Sequence, residues 1–355
     1  MTDTAHHPWL GALFGDEALS ALWSADAQLA HYRSFEAALA HALEAAGRLP
    51  AGQGAAAAAH IATAPLDPAA LAAGTARDGL PIPAFVRQLR AGAPRPEAIH
   101  TGATSQDVLD TALSLTLRAT TELLIARLTT LDAALGALSH DHGAQPLMAR
   151  TRMQAALPIK VADRIRSWQQ PLADHIAALT AGRPRVERLQ LGGPVGTRDA
   201  FAPDGDAIAA HMADTLGLAS GPVWHSDRTA IADYAGRLSL ITGSLGKIGQ
   251  DVTLMAQQSL GDIALAGGGG SSAMAHKSNP ILAELLVTLA RFNATQLAGM
   301  HQALVHEQER SGAAWMLEWM ILPQMALATG RALSAASTLC ADITRLGGPD
   351  PQARP

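Results

Sequence analysis

Apolar residues recur along this chain at helical spacing, in stripes long enough to define elements by themselves. Leu124, Leu128, Leu131, Leu135 and Leu138 follow one another at steps of four and three, the repeat of one face of an α-helix. The stretch 106–135 holds no Gly or Pro, so the helix these leucines mark runs for roughly 45 Å at 1.5 Å per residue. A second stripe follows Ser226 and Asp227, through Ile231, Leu238, Ile241, Leu245, Ile248, Val252 and Met255. A third begins after Pro280 with Leu282, Leu285, Leu289 and Phe292. Three long helices with heptad-like apolar spacing predict an all-α fold built as an elongated central bundle. Gly236, Gly243, Gly246 and Gly249 interrupt the second stripe at up to about 1 kcal/mol each against Ala, and close approach of neighbouring helices is the expected return. Strand signals are few; RPRVERLQLGG (183–193) is at most a short excursion.

Three regions follow from this pattern. Residues 1–105 read as an N-terminal helical domain, in which SADAQLAHYRSFEAALAHALEAAGRLP is one helix closed by Gly47 and Pro50. Residues 106–330 form the long-helix bundle, and 331–355 a short C-terminal remnant and tail.

Composition narrows the partners. The chain has 355 residues and a formal net charge of −5, with 16% charged and 4% aromatic residues. Without a long basic run there is no electrostatic reason to expect nucleic acid or an anionic membrane. The most apolar segment, AAWMLEWMILPQMALATG, is interrupted by Glu318, Pro323 and Gln324 and reads as a buried helix rather than a membrane span. The single cysteine, Cys340, allows no intrachain disulfide, and the start lacks a basic segment followed by an apolar run, so the cytoplasm is the expected setting.

Four polar islands interrupt the helices. HTGATSQD (100–107) opens the first long helix, with Thr104 and Asp107 spaced as a capping box. HDHGAQPLMARTRMQAALP (140–158) reads as a loop before a helix carrying Ile165, Trp168 and Leu172. GGGGSSAMAHKSNP (267–280) has Asn279 and Pro280 suited to starting a helix, and glycines suited to a hinge. HEQERSGAAWMLEW (306–319) begins like a zinc-protease motif, but Arg310 stands where the second His belongs, and His301 and His306 are five apart. No metal site is therefore expected.

Taken together, the islands resemble the fumarase/aspartase superfamily. GSSAMAHKSNP (270–280) matches its signature loop, Gly-Ser-Ser-x-Met-Pro-x-Lys-x-Asn-Pro, at every fixed position but one, where Ala275 replaces the usual Pro. GATSQD is similar to the first conserved segment and ARTRMQAALP to the second. The likeness covers nearly the whole chain, and it implies a homotetramer with a twenty-helix core whose sites draw on three subunits, and chemistry that requires no cofactor.

The resemblance makes Ser271 the proton-transfer group, while Lys277 and Asn279 hold and polarise a substrate carboxylate. It makes Thr104, Ser105, Thr151 and Gln154 hydrogen-bonding contacts. Arg152 departs from the pattern, standing where the lyases carry His and the lactonising cycloisomerases usually Trp, so His142 is the expected second proton carrier. The Trp-x-x-x-Trp end of the fourth island looks most like the cycloisomerases, which close a lactone on a tricarboxylate. Arg310, Ser311 and Arg152 then serve as further substrate contacts. The competing expectations are another lyase of the superfamily, of the adenylosuccinate type, and a catalytically silent helical assembly protein. The superfamily's small C-terminal helical domain is largely missing from the sequence.

Overall fold

The computed structural model describes residues 7–270, 272–274 and 277–348. Six helices precede residue 105: α1 (Gly11–Phe14), α2 (Glu17–Leu22), α3 (Ala25–Ala45), α4 (Gln53–Thr63), α5 (Pro68–Asp78) and α6 (Ile82–Arg90). The leucine stripe lies on α7 (Ser105–His142), which is followed by the strands β1 (Pro146–Thr151) and β2 (Gln154–Lys160). Next come α8 (Val161–Val186), α9 (Gly205–Leu216), α10 (Thr229–Met255) and β3 (Ile263–Leu265). The described chain finishes with α11 (Ile281–Gln302), α12 (Ala313–Asp342) and β4 (Ile343–Leu346).

The bundle consists of α7, α8, α10, α11 and α12. All five leucines of the first stripe and all seven apolar residues of the second are buried, as the helical period requires. In the third, Leu285 and Leu289 are buried, while Leu282 and Phe292 pack at the margin. A second apolar cluster joins Phe35, Leu39, Ile82 and Phe85 to Val108 on α7 and Met212 on α9. It seats the N-terminal helices on the first turns of α7. Among the described residues no helix is long and apolar enough to cross a membrane.

Three details depart from the sequence reading, and one agrees with it. Of the four glycines in α10, only two serve close packing within the protomer. A Cβ on Gly246 would lie 2.6 Å from Ala290 Cβ, and one on Gly249 would lie 2.8 Å from Leu286 Cβ, whereas Gly236 and Gly243 face open space. The expected boundary at residue 330 falls inside α12, since Gly330 is a contact point rather than a stop: a Cβ there would lie 2.7 Å from Leu19 Cδ2 on α2. Segment 183–193 is no more than the short excursion expected. Its first residues finish α8, and Arg188 makes only an isolated bridge to Ala219. Residues 146–160, expected as a loop, form a β-hairpin.

The glycine contacts generate a paired prediction. Gly249→Ala should destabilise the protein by about 1–3 kcal/mol, as expected of overpacking. Gly182→Ala in α8, where nothing lies within 4 Å of the added methyl, should instead gain up to about 1 kcal/mol from helix propensity. Urea denaturation midpoints of the two variants check both signs.

Candidate active site

The polar islands separate to the two ends of the bundle. Ser105 begins α7 and His142 ends it, and 38 residues of helix at 1.5 Å each span roughly 57 Å. Thr104, Ser105, Arg310 and Ser311 gather at the first end; His142, Thr151, Arg152, Gln154, Lys277 and Asn279 lie at the second.

At the first end, Asp107 does more than cap. Its buried carboxylate accepts from Thr104 N (2.9 Å), Gly192 N (2.7 Å), Gly193 N (2.9 Å) and the imidazole of His225 (2.8 Å). One side chain thereby fixes the start of α7, the loop after residue 191 and the segment before α10. Next to it, Gln106 Nε2 donates to His225 O (2.8 Å) and to Asp110 Oδ2 (3.1 Å). Asp110 also accepts from Arg228 Nη1 (2.9 Å), and Arg228 meets Glu318 through both Nε (3.0 Å) and Nη2. Asp110, Arg228 and Glu318 are all almost completely buried. Burial, against the opposing pull of Arg228, holds the Glu318 carboxyl above the usual carboxylate range.

This network reaches the surface at Arg310. Its Nε donates to Gln106 Oε1 (2.8 Å) and its Nη2 to Pro194 O (3.2 Å). The guanidinium is exposed and oriented, and no carboxylate pairs with it among the described residues. Ser311 is positioned differently: it is buried, and its Oγ accepts from Ala314 N (3.2 Å) at the start of α12. Its hydroxyl serves the helix start within the protomer. His306 lies at the same end, where burial, reinforced by Arg228, lowers the pKa of its imidazole.

At the second end, Thr151 and Gln154 stand directly opposite each other across the hairpin, so their side chains share one face. The two-residue turn between them is Arg152-Met153, with φ of 48° and 67°. That is the primed-turn region normally given to Gly or Asn, and it costs about 1–2 kcal/mol per non-Gly residue. Arg152 borders a cavity of ≈ 510 Å³ with Arg150, Arg164, Asp251 and Asp262. Arg150 pairs with Asp262, and Arg164 lies 3.7 Å from Asp251, while Arg152 has no acidic partner among the described residues.

The signature loop is closed at its neck by a mutual backbone pair, Gly269 N to Asn279 O and Asn279 N to Gly269 O, both 2.9 Å. Asn279 does not cap α11 with its side chain; Pro280 occupies that position without a side-chain hydrogen bond. The Asn279 amide is therefore left to line a cavity, and Lys277 is exposed beside it. Ser271, the expected proton-transfer group, lies outside the described residues. His142 is half-exposed at the end of α7.

Sequence reasoning missed Gln106, Asp110, His225, Arg228 and Glu318. Gln106 sits within a quoted island and HSDR (225–228) is a fifth polar run at a helix start, so a signal existed. Nothing local, however, announces that Arg228 is buried between acids 118 and 90 residues away.

An all-α bundle with hydrogen-bonding and cationic side chains set at its ends, and the signature loop entering one of its long helices, defines the lyase scaffold of the fumarase/aspartase superfamily. The chain belongs to that family: residues 17–295 match the family described as Lyase. It is 36% identical over 349 residues to the 3-carboxy-cis,cis-muconate cycloisomerase of Bradyrhizobium diazoefficiens, covering 94% of this chain and 76% of that one. The crystal structure of the 3-carboxy-cis,cis-muconate lactonizing enzyme from Pseudomonas putida superposes with a TM-score of 0.89 at 33% identity, covering 96% of this chain and 78% of that one. The nitrosuccinate lyase of Streptomyces davaonensis is 35% identical over 299 residues, covering 79% of this chain and 62% of that one.

Arg228→Met should cost about 3–5 kcal/mol, because it leaves two buried carboxylates without their cation. Glu318→Gln removes the charge that burial disfavours and keeps an acceptor for Arg228, so it should cost less than half as much. Chemical denaturation of the two variants measures the difference.

Proposed function

We propose that this chain is a cycloisomerase that closes 3-carboxy-cis,cis-muconate to 4-carboxymuconolactone in the degradation of aromatic compounds through protocatechuate. The observation that carries this reading is its likeness, over nearly the whole chain, to several enzymes of that activity, combined with a signature loop that keeps Lys277 and Asn279. In this reaction one carboxylate oxygen adds across a carbon–carbon double bond. The neighbouring carbon, α to another carboxylate, passes through an aci-carboxylate before it takes a proton.

Each site residue has a task in that sequence. Lys277, Asn279 and the start of α11 stabilise the aci-carboxylate, and one oriented donor of this kind is typically worth about 3–4 kcal/mol. Ser271 transfers the proton, in a site electropositive enough to lower the pKa of a hydroxyl. His142 is the second proton carrier. Thr104, Ser105, Thr151 and Gln154 orient the substrate, while Arg152 and Arg310 take the remaining carboxylates and Ser311, buried at the start of α12, holds the segment that carries Arg310.

Those of these groups that the structure describes stand at opposite ends of one protomer, so the reading includes a homotetramer that brings one end of a copy against the other end of its neighbours. Two features support it. On α10, Leu240 is 56% exposed between the open glycines Gly236 and Gly243, and on the hairpin Met153 and Leu157 are each 72% exposed. Apolar area of this kind is stabilised by burial against another copy. A cytoplasmic setting goes with the same reading, since the lone Cys340 is a free thiol.

A second reading, elimination from a substituted succinate, is favoured by the likeness to the nitrosuccinate lyase. It runs the same bond changes in reverse. One assay separates the two: loss of the conjugated diene of 3-carboxymuconate against release of an unsaturated dicarboxylate from nitrosuccinate and adenylosuccinate. Turnover of the succinates alone would overturn the lactonising assignment.

Two variants test the parts. Ser271→Ala should lower kcat by about 10²–10⁴-fold, the usual weight of a proton-transfer group, with substrate binding retained; undiminished turnover removes Ser271 from the mechanism. Leu240→Arg should split the tetramer in sedimentation velocity without loss of helical circular dichroism. The activity should fall with the assembly, and an active monomer would refute the shared site.

A further inference from the structure

Arg345 lies on β4, opposite Ala264 on β3, the strand that leads into the signature loop. Its Nη2 donates to Gly261 O (2.7 Å) and its Nη1 to Gly347 O (3.0 Å). A guanidinium carries five N–H donors, so three remain. The side chain is half-buried, and no carboxylate pairs with it among the described residues. In the neighbouring cavity Arg150 and Arg164 each have an acidic partner. Arg345 instead borders a cavity of ≈ 560 Å³ together with Gln257, Gln258, Ser278 and Asn279. That lining is one cation and several neutral hydrogen-bonding groups, with no acid in it.

A half-buried cation without a counter-charge is costly unless an anion completes it. Two backbone carbonyls fix its plane, which leaves a fork matched to a carboxylate. We propose that Arg345 binds a carboxylate of the substrate, one beyond the carboxylate held by Lys277 and Asn279, and so helps to select a tricarboxylate over a dicarboxylate. This deepens the lactonising assignment and rests on it for the place of Asn279 in the site.

The test compares Arg345→Gln and Arg345→Lys with the wild-type protein by calorimetric titration with propane-1,2,3-tricarboxylate and with succinate. A lost charge-assisted hydrogen bond corresponds to about 10- to 100-fold in affinity. The Gln variant should therefore lose about that factor for the tricarboxylate and less than about threefold for succinate. The Lys variant, which keeps the charge without the fork, should recover part of the loss. In turnover the effect should fall on KM rather than kcat. A purely structural Arg345, tying β4 to the turn at Gly261, would lower the melting temperature and weaken both ligands alike. That outcome, or a wild-type protein that binds the two ligands equally, overturns the proposal. The titrations need no turnover, so a protein that discriminates the ligands through Arg345 but does not lactonise would sink the assigned reaction and leave the carboxylate contact standing.

Discussion

The buried guanidinium of Arg228 is the constraint on which the rest of the first end depends. It stands immediately before α10 and joins Asp110 on α7 to Glu318 on α12, so three of the five long helices are registered against one another by a single cation. A buried charge must be met by charge, and a planar fork can be met in few orientations. The position of α7 relative to α12 is therefore fixed to within hydrogen-bond tolerance. Trp224 reinforces the arrangement, with its ring 4.8 Å from the Arg228 guanidinium carbon. Through Asp110 and Gln106 the same fixation reaches Arg310, and a residue on the connection between α11 and α12 acquires a defined direction.

The second end is organised by backbone pairing instead. The hairpin, the base of the signature loop and β4 are sewn together: Gly348 N donates to Pro146 O, Gly347 N to Asp262 O and Ala266 N to Asp342 O. In an otherwise helical protein, the few strands sit where chain segments carrying the expected substrate contacts must be held rigid without a helix to hold them. The strained turn at Arg152 and Met153 fits this picture, since a left-handed conformation at two non-glycine residues persists only where its surroundings determine it.

The sequence disclosed what period and composition can disclose. Leu124 through Leu138 announced α7 because a helix that buries one face repeats its apolar residues at that spacing, and all five are buried. The hairpin stayed hidden because nearly all of β2 is exposed, so no alternation marks it, and because its turn lacks Gly and Asn. The four glycines of α10 share one residue type and one helix. Only the neighbours Ala290 and Leu286, 44 and 37 positions later, separate two of them from the others. Asn279 followed by Pro280 looked like a helix start, yet its backbone closes the loop neck and its side chain is left for the cavity. The islands themselves were legible, but their distribution between two ends was not, because helix length becomes distance only once the direction of every helix is known.

The pairing of β4 with β3 has a consequence for biosynthesis. Residues 263–265 leave the ribosome some 80 residues before their partners at 343–346, an interval of several seconds at 5–20 residues per second. Throughout it the strand feeding the signature loop has an open edge. The long helices can associate as they emerge, whereas the frame around the loop closes only once β4 has followed α11 and α12.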